Sequence, residues 1–393
     1  MTNPKRSLLK AAIGALVASL ALPGFAQTGP IKIGLILPMT GQSASTGRQI
    51  DAAVKLWIAQ NGNKIAGRTV EVILKDDGAV PDTTRRLAQE LIVNDKVAVI
   101  AGFGITPTAL ATAPLGTQSK TPMVVMAAAT SSITEASPYF IRTSFTLPQV
   151  TIGIADWAAK NKIKKAVTLV ADYGPGFDAE KFFDSQFRLD GGQILDKLRT
   201  PLKAPDFAPV LQRVIDTKPD ALFVFLPSGQ GAAFMKQFAE RGLDKSGVKL
   251  IATGDVTDDD QLNDMGDVAL GVVNSHHYSA AHPSAVNKKF VEAFQAANKF
   301  RPNFMAVGGY DGMRVIYKAL EATKGEGGEK LLNAMKGQIF ESPRGPVLID
   351  GQTRDIVQDV YIRKVERVPA MGNGLYNVEF DVIKAVKDPG KAK

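Results

Sequence analysis

The chain has no cysteine among its 393 residues. Disulfide bonds, thiolate metal ligands, a thiol nucleophile and a lipid-modified cysteine are therefore excluded. Histidine is scarce as well, because His276, His277 and His282 are its three copies and all fall in the segment HHYSAAH. Two are adjacent and none has a partner at the helical i, i+4 spacing, which disfavours a zinc site and a Ser-His hydrolase. We interpret these histidines as exposed or as packed at a hinge.

Long apolar runs are also lacking, except near the N terminus. Residues 1–26 contain three basic residues, then the apolar stretch AAIGALVASLAL, then the small residues of GFA. This order predicts a secretory signal peptide that is removed after residue 26. The stretch KRSLLK resembles a twin-arginine motif with lysine as its first residue, so we favour the general secretory route over the twin-arginine route. No later segment reaches the roughly 18–20 apolar residues of a membrane helix. We therefore expect a periplasmic location and no stable membrane insertion.

The charge of the chain is mildly basic and dispersed. Its formal net charge is +8, and loss of the three basic residues of the signal leaves 44 basic against 39 acidic residues, or +5. The basic residues do not form a stripe with interleaved aromatic residues, so nucleic acid is not an expected partner. A weak positive field of this kind helps to attract small anions.

Short β-branched strands alternate with helix-length segments along the mature chain. The first array of strands is IKIGLIL, TVEVILKDD, VAVIAG and PMVVMAA, and the pattern starts again with AVTLVAD, QILDKLRTPL, ALFVFLP and VKLIATGD. Continuous apolar strands with intervening helices predict a parallel sheet that is covered on both faces. Two such arrays predict an α/β protein with two doubly wound, Rossmann-like lobes. In these sheets the ligand lies outside the carboxyl ends of the strands.

The rhythm changes after residue 275. Helices are expected near 283–299, 304–324 and 328–336, and strands near 345–349 and 355–366. We interpret them as a return to the first lobe followed by a final crossing to the second, and several crossings make a hinge. The expected division is residues 29–145 and 277–346 for lobe 1, residues 146–276 and 347–385 for lobe 2, and residues 386–393 for a flexible tail.

The segment GFGITP, residues 102–107, raises the question of a nucleotide site. A dinucleotide fingerprint needs a third glycine three positions after the second, and Pro107 stands there instead. What remains is a strand end, a tight turn, Thr106 and a proline that suits the first helical position. A helix N terminus offers its N–H groups to a carboxylate as readily as to a phosphate. A plain strand-to-helix turn is the alternative interpretation.

Two further strand ends carry polar groups. Thr130 and Ser131 follow the small residues of VVMAAA, which would let a ligand approach the backbone and meet hydroxyls. Core packing explains the alanines equally well. Tyr173, in ADYGPGFD, offers a flat apolar face and a polar tip at the start of the second array. A surface aromatic residue is the equally weighted alternative.

The acidic stretch GDVTDDDQLNDMGD lacks the residue order of a calcium-binding loop. Thr257 and Asp260 have the spacing of a helix cap, and Asp258 and Asp259 would suit the positive end of a helix dipole. Capping does not explain Asp255, which follows the strand VKLIATG. It is the carboxylate that we expect in the cleft.

Taken in order, several motifs span nearly the whole mature chain: IKIGLILPMTGQSASTGRQIDAAV, VEVILKDD, VIAGFGITPT, MVVMAAATSSIT, YFIRTSFT, ADYGPGFD and GGYDGMRVIYKAL. Together they resemble the periplasmic leucine/isoleucine/valine-binding protein family, the type I solute receptors of ABC importers. The resemblance implies two lobes that are joined by a three-stranded hinge and close on a ligand. It also implies a monomer without cofactor or enzymatic activity, which delivers its ligand to an inner-membrane ABC permease.

The resemblance also implies roles for individual residues. In amino-acid-binding members, amides and hydroxyls after the third and fourth strands hold the ligand carboxylate, and the matching positions are Thr106, Ala128 and Thr130. Tyr173 matches a tyrosine of the second lobe, and Asp255 matches the acid that pairs with the ligand ammonium, where glutamate is usual. The full set expected around the ligand is Thr46, Phe103, Thr106, Ala128, Ala129, Thr130, Tyr173, Gln230, Asp255 and Tyr278.

Two of these residues depart from the family pattern and enlarge the expected pocket. Thr46 stands where an aromatic residue is common, and Gln230 where a tyrosine is often found. The stretches GDVTDDD, HHYSAAHPSAVNKKF and RPNFMAVGGYDGM resemble a branch that binds aromatic carboxylates. We therefore expect a small organic acid, either an aromatic carboxylate or a keto acid. A branched-chain or other hydrophobic amino acid is the alternative ligand. A secreted Rossmann-type oxidoreductase and a ligand-sensing ectodomain are alternatives of other classes.

Overall fold

The computed structural model describes residues 29–391. The signal peptide predicted over residues 1–26 lies outside them. The first lobe is built on a sheet with the order β2-β3-β1-β4-β5-β6, which is parallel except for the short β2. Its elements in chain order are β1 (Ile31–Leu37), α1 (Ala44–Asn61), β2 (Lys64–Ile65), β3 (Arg68–Asp76), α2 (Pro81–Val93), β4 (Val99–Gly102), α3 (Thr106–Ser119), β5 (Met123–Val125), α4 (Ile133–Ala136) and β6 (Phe140–Arg142).

The second lobe repeats this winding. Five parallel strands have the order β8-β7-β9-β10-β11. The elements are α5 (Leu147–Lys160), β7 (Lys165–Ala171), α6 (Gly174–Leu189), β8 (Gln193–Thr200), α7 (Ala208–Thr217), β9 (Ala221–Phe225), α8 (Gly231–Glu240), β10 (Lys249–Thr253), α9 (Leu262–Met265) and β11 (Val273–His276). The strands β4, β5 and β9 are buried along their whole length, as the continuous apolar runs predicted.

The chain then returns to the first lobe and crosses back. Helices α10 (Ala285–Asn298) and α11 (Phe304–Ala322) pack against α1, and α12 (Gly328–Met335) packs against α11. The last strands, β12 (Ile339–Ser342), β13 (Gly345–Ile349), β14 (Ile356–Val368) and β15 (Gly374–Val386), join the second sheet, where β14 runs antiparallel to β11. These pairings confirm the predicted architecture of two doubly wound lobes.

Two details differ from the expected division of the chain. Residues 339–346 were expected in the first lobe, but the β12–β13 hairpin is hydrogen-bonded to β14 in the second sheet. The segment after β15 was expected to be flexible, but its described part is docked. Asp388 is buried and accepts a hydrogen bond of 2.5 Å from Ser131 Oγ, and the Lys391 ammonium lies 3.4 Å from Glu135 of α4. An ion pair and a buried hydrogen bond therefore hold this end of the chain on the first lobe.

Three segments connect the lobes in the described chain: residues 143–146, 277–284 and 336–338. Fully buried arginines bind the first two of these segments. Arg344 donates to the carbonyls of Thr143 and Ser144 and pairs with Asp311 of α11 at 2.7 Å. Arg363 donates to Asn274 and to the Tyr278 carbonyl. Each guanidinium thus satisfies backbone carbonyls that the crossings would otherwise bury unpaired. Within residues 29–391, no helix is both long enough and apolar enough to cross a membrane.

Candidate ligand-binding site

A cavity lies between the lobes. It sits outside the carboxyl ends of β1, β4, β7 and β9, at the positions where the strand order of each sheet reverses. Its lining residues are Ser43, Thr46, Gly104, Ile105, Thr106, Ala127, Ala128, Ala129, Phe145, Leu147, Met305, Tyr173, Pro175, Phe225, Pro227, Ser228 and Asp255. Both lobes therefore contribute to one site, as expected from the prediction of two lobes with a cleft between them.

The first lobe provides a cluster of hydrogen-bond donors. The hydroxyls of Thr106 and Thr130 are 2.9 Å apart and buried. Helix α3 begins at Thr106, and its N-cap residue Ile105 has no side-chain acceptor for the first-turn N–H groups, which lack intrahelical partners. Gly102 makes the turn tight enough, because a β-carbon there would lie 2.2 Å from the carbonyl oxygen of Ile36. These groups together suit an anionic oxygen.

Residues 127–131, which follow β5, form a turn that we call the ligand turn. Arg142, a residue that the sequence analysis did not single out, binds carbonyls of this turn. This fully buried side chain donates to the carbonyls of Ala128 and Thr130 and pairs with Asp355 at 2.7 Å. Because these carbonyls are turned towards the guanidinium, the opposite side of the turn is presented to the cavity. The amide of Ala128 itself donates to the Phe103 carbonyl at 3.0 Å. Ala128 therefore lines the cavity without a free N–H, contrary to the expectation that its amide binds the ligand.

The second lobe provides a flat aromatic wall. The ring of Tyr173 stacks on Phe225 with centroids 6.1 Å apart and an angle of 18° between the planes. Burial raises the pKa of Tyr173, and the nearby Asp255 raises it further, so the phenol keeps its proton. Phe145, from the first crossing, adds a third aromatic ring to the lining. Such a surface suits a planar apolar ligand.

Asp255 is the carboxylate of the cavity. It follows β10, is almost fully buried, and its Oδ2 lies 3.5 Å from His276 Nε2. Burial lowers the pKa of His276 to about 4, against the attraction of Asp255, so the ring is neutral at pH 7. His276 and His277 pack against Phe145, which agrees with the hinge role predicted for adjacent histidines.

Four of the expected residues are not among those that line this cavity. Thr130 lies next to it, because its hydroxyl is 2.9 Å from that of the lining residue Thr106. Phe103, whose backbone has a positive φ of 64°, packs in the core of the first lobe against Phe140. Gln230 donates to the Leu202 carbonyl at 2.9 Å and lines a neighbouring cavity. Tyr278 is fully buried in the second crossing. The structure brings the expected polar residues Thr46, Thr106, Tyr173 and Asp255 together around the cavity, and their role in ligand binding stays a prediction.

The interpretation of the acidic stretch as a helix cap is wrong. The helix starts only at Leu262, and its N-cap is Gln261. Asp260 instead accepts a hydrogen bond of 2.8 Å from Ser45 of the first lobe, and Asn303 donates to Asp258 at 3.0 Å. Burial and the charge of Asp260 raise the pKa of Asp258 well above its usual range. These acids therefore join the lobes across the cleft rather than cap a helix.

A family model described as periplasmic binding protein matches residues 30–372. The chain belongs to this family. The match agrees with the resemblance found in the sequence motifs and with the fold of the two lobes.

Known periplasmic binding proteins resemble this one over nearly their whole length. A solute-binding protein of an ABC transporter from Rhodopseudomonas palustris BisB5, solved with 3,4-dihydroxybenzoic acid, is 63% identical, with a TM-score of 0.90, 92% of this chain and 99% of that chain covered. Another from R. palustris, solved with 4-hydroxybenzoate, is 42% identical, with a TM-score of 0.89 and the same coverage. Leu/Ile/Val-binding protein homolog 6 of Brucella abortus is 42% identical, covering 97% of this chain and 98% of its own.

Several cavity residues of this periplasmic binding protein carried no recognisable sequence signal. Leu147, Phe225, Pro227 and Met305 come from different elements and read as ordinary core or turn residues. Arg142 had a usable signal, because an arginine inside the apolar stretch YFIRTSF must find partners if it is buried.

Proposed function

We propose that the protein captures an aromatic carboxylate in the periplasm and delivers it to an ABC permease. The observation that carries this proposal is that the cleft combines hydrogen-bond donors with an aromatic surface. The first lobe provides the paired hydroxyls of Thr106 and Thr130 beside the N terminus of α3, and the second lobe provides the stacked rings of Tyr173 and Phe225. A planar acid has a carboxylate for the first set of groups and a flat apolar face for the second. The two R. palustris relatives solved with hydroxybenzoates support this choice.

In this proposal the ligand is bound and released unchanged. The carboxylate accepts hydrogen bonds from the first lobe, and closure of the hinge brings the aromatic wall over the ring. Closure is driven by the higher affinity of the closed form for the ligand. We expect binding in the micromolar range or tighter, on the order of 8–10 kcal/mol.

A branched-chain amino acid is the second candidate ligand. Asp255 in the cavity is the observation that favours it, because a carboxylate can pair with a ligand ammonium. The name of the Brucella relative points the same way. Membership of a binding-protein family gives no support to the oxidoreductase alternative.

A ligand panel distinguishes these candidates. Thermal unfolding and calorimetry would compare benzoate, 4-hydroxybenzoate, phenylpyruvate, phenylalanine and leucine. A ligand that binds only the native state stabilises it, by about 2.7 kcal/mol at a concentration of 100 Kd. We expect the aromatic acids to raise the melting temperature more than leucine does. Binding of leucine without binding of any aromatic acid would overturn the proposal.

A further inference from the structure

The carboxylate of Asp255 lies in the cavity with an unsatisfied oxygen. The residue is only 3% exposed, and its Oδ2 has no hydrogen-bond partner anywhere in residues 29–391. Burial of a charged oxygen without a donor is costly, so such groups in proteins are normally paired. Because Asp255 lines the cavity, a donor group of a bound ligand is one partner open to its carboxylate.

His276 faces this carboxylate from the protein side. Its Nε2 is 3.5 Å from Asp255 Oδ2, and neither ring nitrogen makes a hydrogen bond within the described part of the chain. The ring is otherwise enclosed by aromatic neighbours, with centroids of Phe304 at 4.3 Å, His277 at 4.4 Å and Phe145 at 4.7 Å. A small movement of the carboxylate would turn this approach into a hydrogen bond from the neutral ring.

A positively charged ligand group is not needed beside Asp255, because the protein itself provides a cation there. The fully buried guanidinium of Arg363 attracts four acids, Asp259 most strongly, then Glu379, Asp255 and Asp258. Its Nη2 has no hydrogen-bond partner among the described residues, and a β-carbon on Gly254 would lie 1.9 Å from it. This guanidinium offsets part of the negative charge of the four acids. A neutral O–H donor can bond Asp255 without bringing a further charge into the cleft, and burial of a charge is costly.

We propose that Asp255 accepts a hydrogen bond from a ring hydroxyl of the ligand, and that His276 is the positioning residue that holds the Asp255 carboxylate for it. This inference rests on the proposed function, since it assumes an aromatic acid with its carboxylate at Thr106 and Thr130. It narrows the ligand class to hydroxylated aromatic acids. The preference for a ligand with a ring hydroxyl then follows from the unpaired Oδ2 of Asp255.

The affinity difference between a hydroxylated and an unsubstituted acid depends on the strength of one hydrogen bond. Hydrogen bonds to charged groups are stronger than neutral ones, and a site built for a ligand hydroxyl leaves its polar group unpaired when the hydroxyl is missing. We therefore expect 4-hydroxybenzoate to bind on the order of 10- to 100-fold more tightly than benzoate.

The experiment measures the ratio of the Kd of benzoate to the Kd of 4-hydroxybenzoate by calorimetry. The proteins are the wild type, Asp255→Ala, His276→Phe and His277→Phe, each checked for its melting temperature. His277→Phe is the matched control, because His277 is an equally buried neighbour, whereas His276 is the histidine whose ring lies 3.5 Å from Asp255 Oδ2. We expect Asp255→Ala to bring the ratio to within about twofold of one. We expect His276→Phe to lower it several-fold, mainly through 4-hydroxybenzoate, and His277→Phe to leave it unchanged.

The outcomes separate this inference from the proposed function. A wild-type ratio near one, with both acids bound, would overturn the inference alone, and needs no variant that could fail to fold. Equal losses for both acids in His276→Phe would show a structural role and would overturn the positioning role. Binding of leucine alone would overturn the proposed function and the inference together.

Discussion

At the scale of single residues, the paired threonines make the sharpest claim about the carboxylate. Thr130→Val keeps the shape of the side chain and removes the hydroxyl that meets Thr106. Loss of one hydrogen bond to a charged group should raise the Kd for 4-hydroxybenzoate about tenfold, or about 1.4 kcal/mol. Calorimetry would measure this loss. Thr112→Val is the matched control, because its buried hydroxyl bonds the Ala109 carbonyl within α3. An unchanged affinity for Thr130→Val would contradict the assignment.

His276 and His277 make a separate claim about acid stability. Burial lowers the pKa of His276 to about 4 and that of His277 well below 6.5. The unfolded chain therefore binds protons that the folded protein does not, and stability falls as the pH drops below about 6.5. For a pKa of about 4, one histidine costs about 2 kcal/mol between pH 7 and pH 5.

His277→Phe should reduce this acid destabilisation. Neither ring nitrogen of His277 makes a hydrogen bond in the described structure, so its replacement breaks none. We expect the drop in melting temperature between pH 7 and pH 5 to be smaller in the variant than in the wild type. The same drop in both proteins would show that His277 titrates normally.

At the scale of elements, the segment after β15 joins the second sheet to the ligand turn of the first lobe. Asp388 accepts from Ser131 Oγ at 2.5 Å, and Asp178 of α6 accepts from the Ser131 amide at 2.9 Å. Ser131 directly follows Thr130, so these contacts form beside the proposed carboxylate position. The end of the chain thus belongs to the set of contacts that hold the lobes together.

Asp388→Ala should therefore weaken ligand binding without touching the ligand. We expect a rise in Kd of about 3- to 10-fold, because one buried hydrogen bond across the cleft is lost. Stopped-flow fluorescence should show it mainly as faster dissociation. Lys387→Ala is the control in the same segment, since its exposed ion pair with Asp350 contributes little. If both variants bind alike, the docked segment is not coupled to the site.

Some helices and strands could be predicted from the sequence, whereas several contacts between distant segments could not. Strand and helix alternation, Pro107 in the first turn of α3 and the helices after residue 283 were readable, because they depend on local patterns. The β12–β13 hairpin, the docked Asp388 and the Asp260 contact with Ser45 were not. Each depends on a partner more than 200 residues away in sequence or on a choice between two sheets, for which a local pattern carries no information.

The same distinction holds within the site. Thr106, Thr130 and Asp255 were found because polar residues follow apolar strands. Phe103 was expected at the cleft but packs in the core, and its positive φ is uncommon for a residue other than glycine, so a sequence pattern does not predict this conformation. Arg142 was missed although its place in YFIRTSF indicated a buried charge, because the backbone carbonyls that it binds have no sequence signature.

At the scale of the whole molecule, buried ionic groups concentrate where the lobes meet. Arg344 and Arg363 fix the crossings, while Arg142 fixes the ligand turn. Their removal would leave buried carbonyls and acids unpaired, which costs several kcal/mol. These fixed points leave hinge motion to rotate two rigid lobes.

Asp260 of the second lobe makes hydrogen bonds to the first lobe that require the two lobes to be close together. It accepts from Ser45 Oγ at 2.8 Å and from Gln49 Nε2 at 3.2 Å, and both donors belong to α1 of the other lobe. Asp260→Ala should shift the equilibrium towards open forms, since both bonds exist only when the lobes meet. We expect the Kd for 4-hydroxybenzoate to rise about tenfold, and the radius of gyration of the ligand-free protein to increase in X-ray scattering.

The control for this prediction is Asp51→Ala, which removes an acid of α1 whose ion pair with Lys55 stays within the same helix. It should change neither the affinity nor the scattering. An Asp260→Ala protein with wild-type affinity and wild-type radius would mean that contacts at the cleft do not bias closure. In that case the hinge segments and the ligand alone would set the equilibrium.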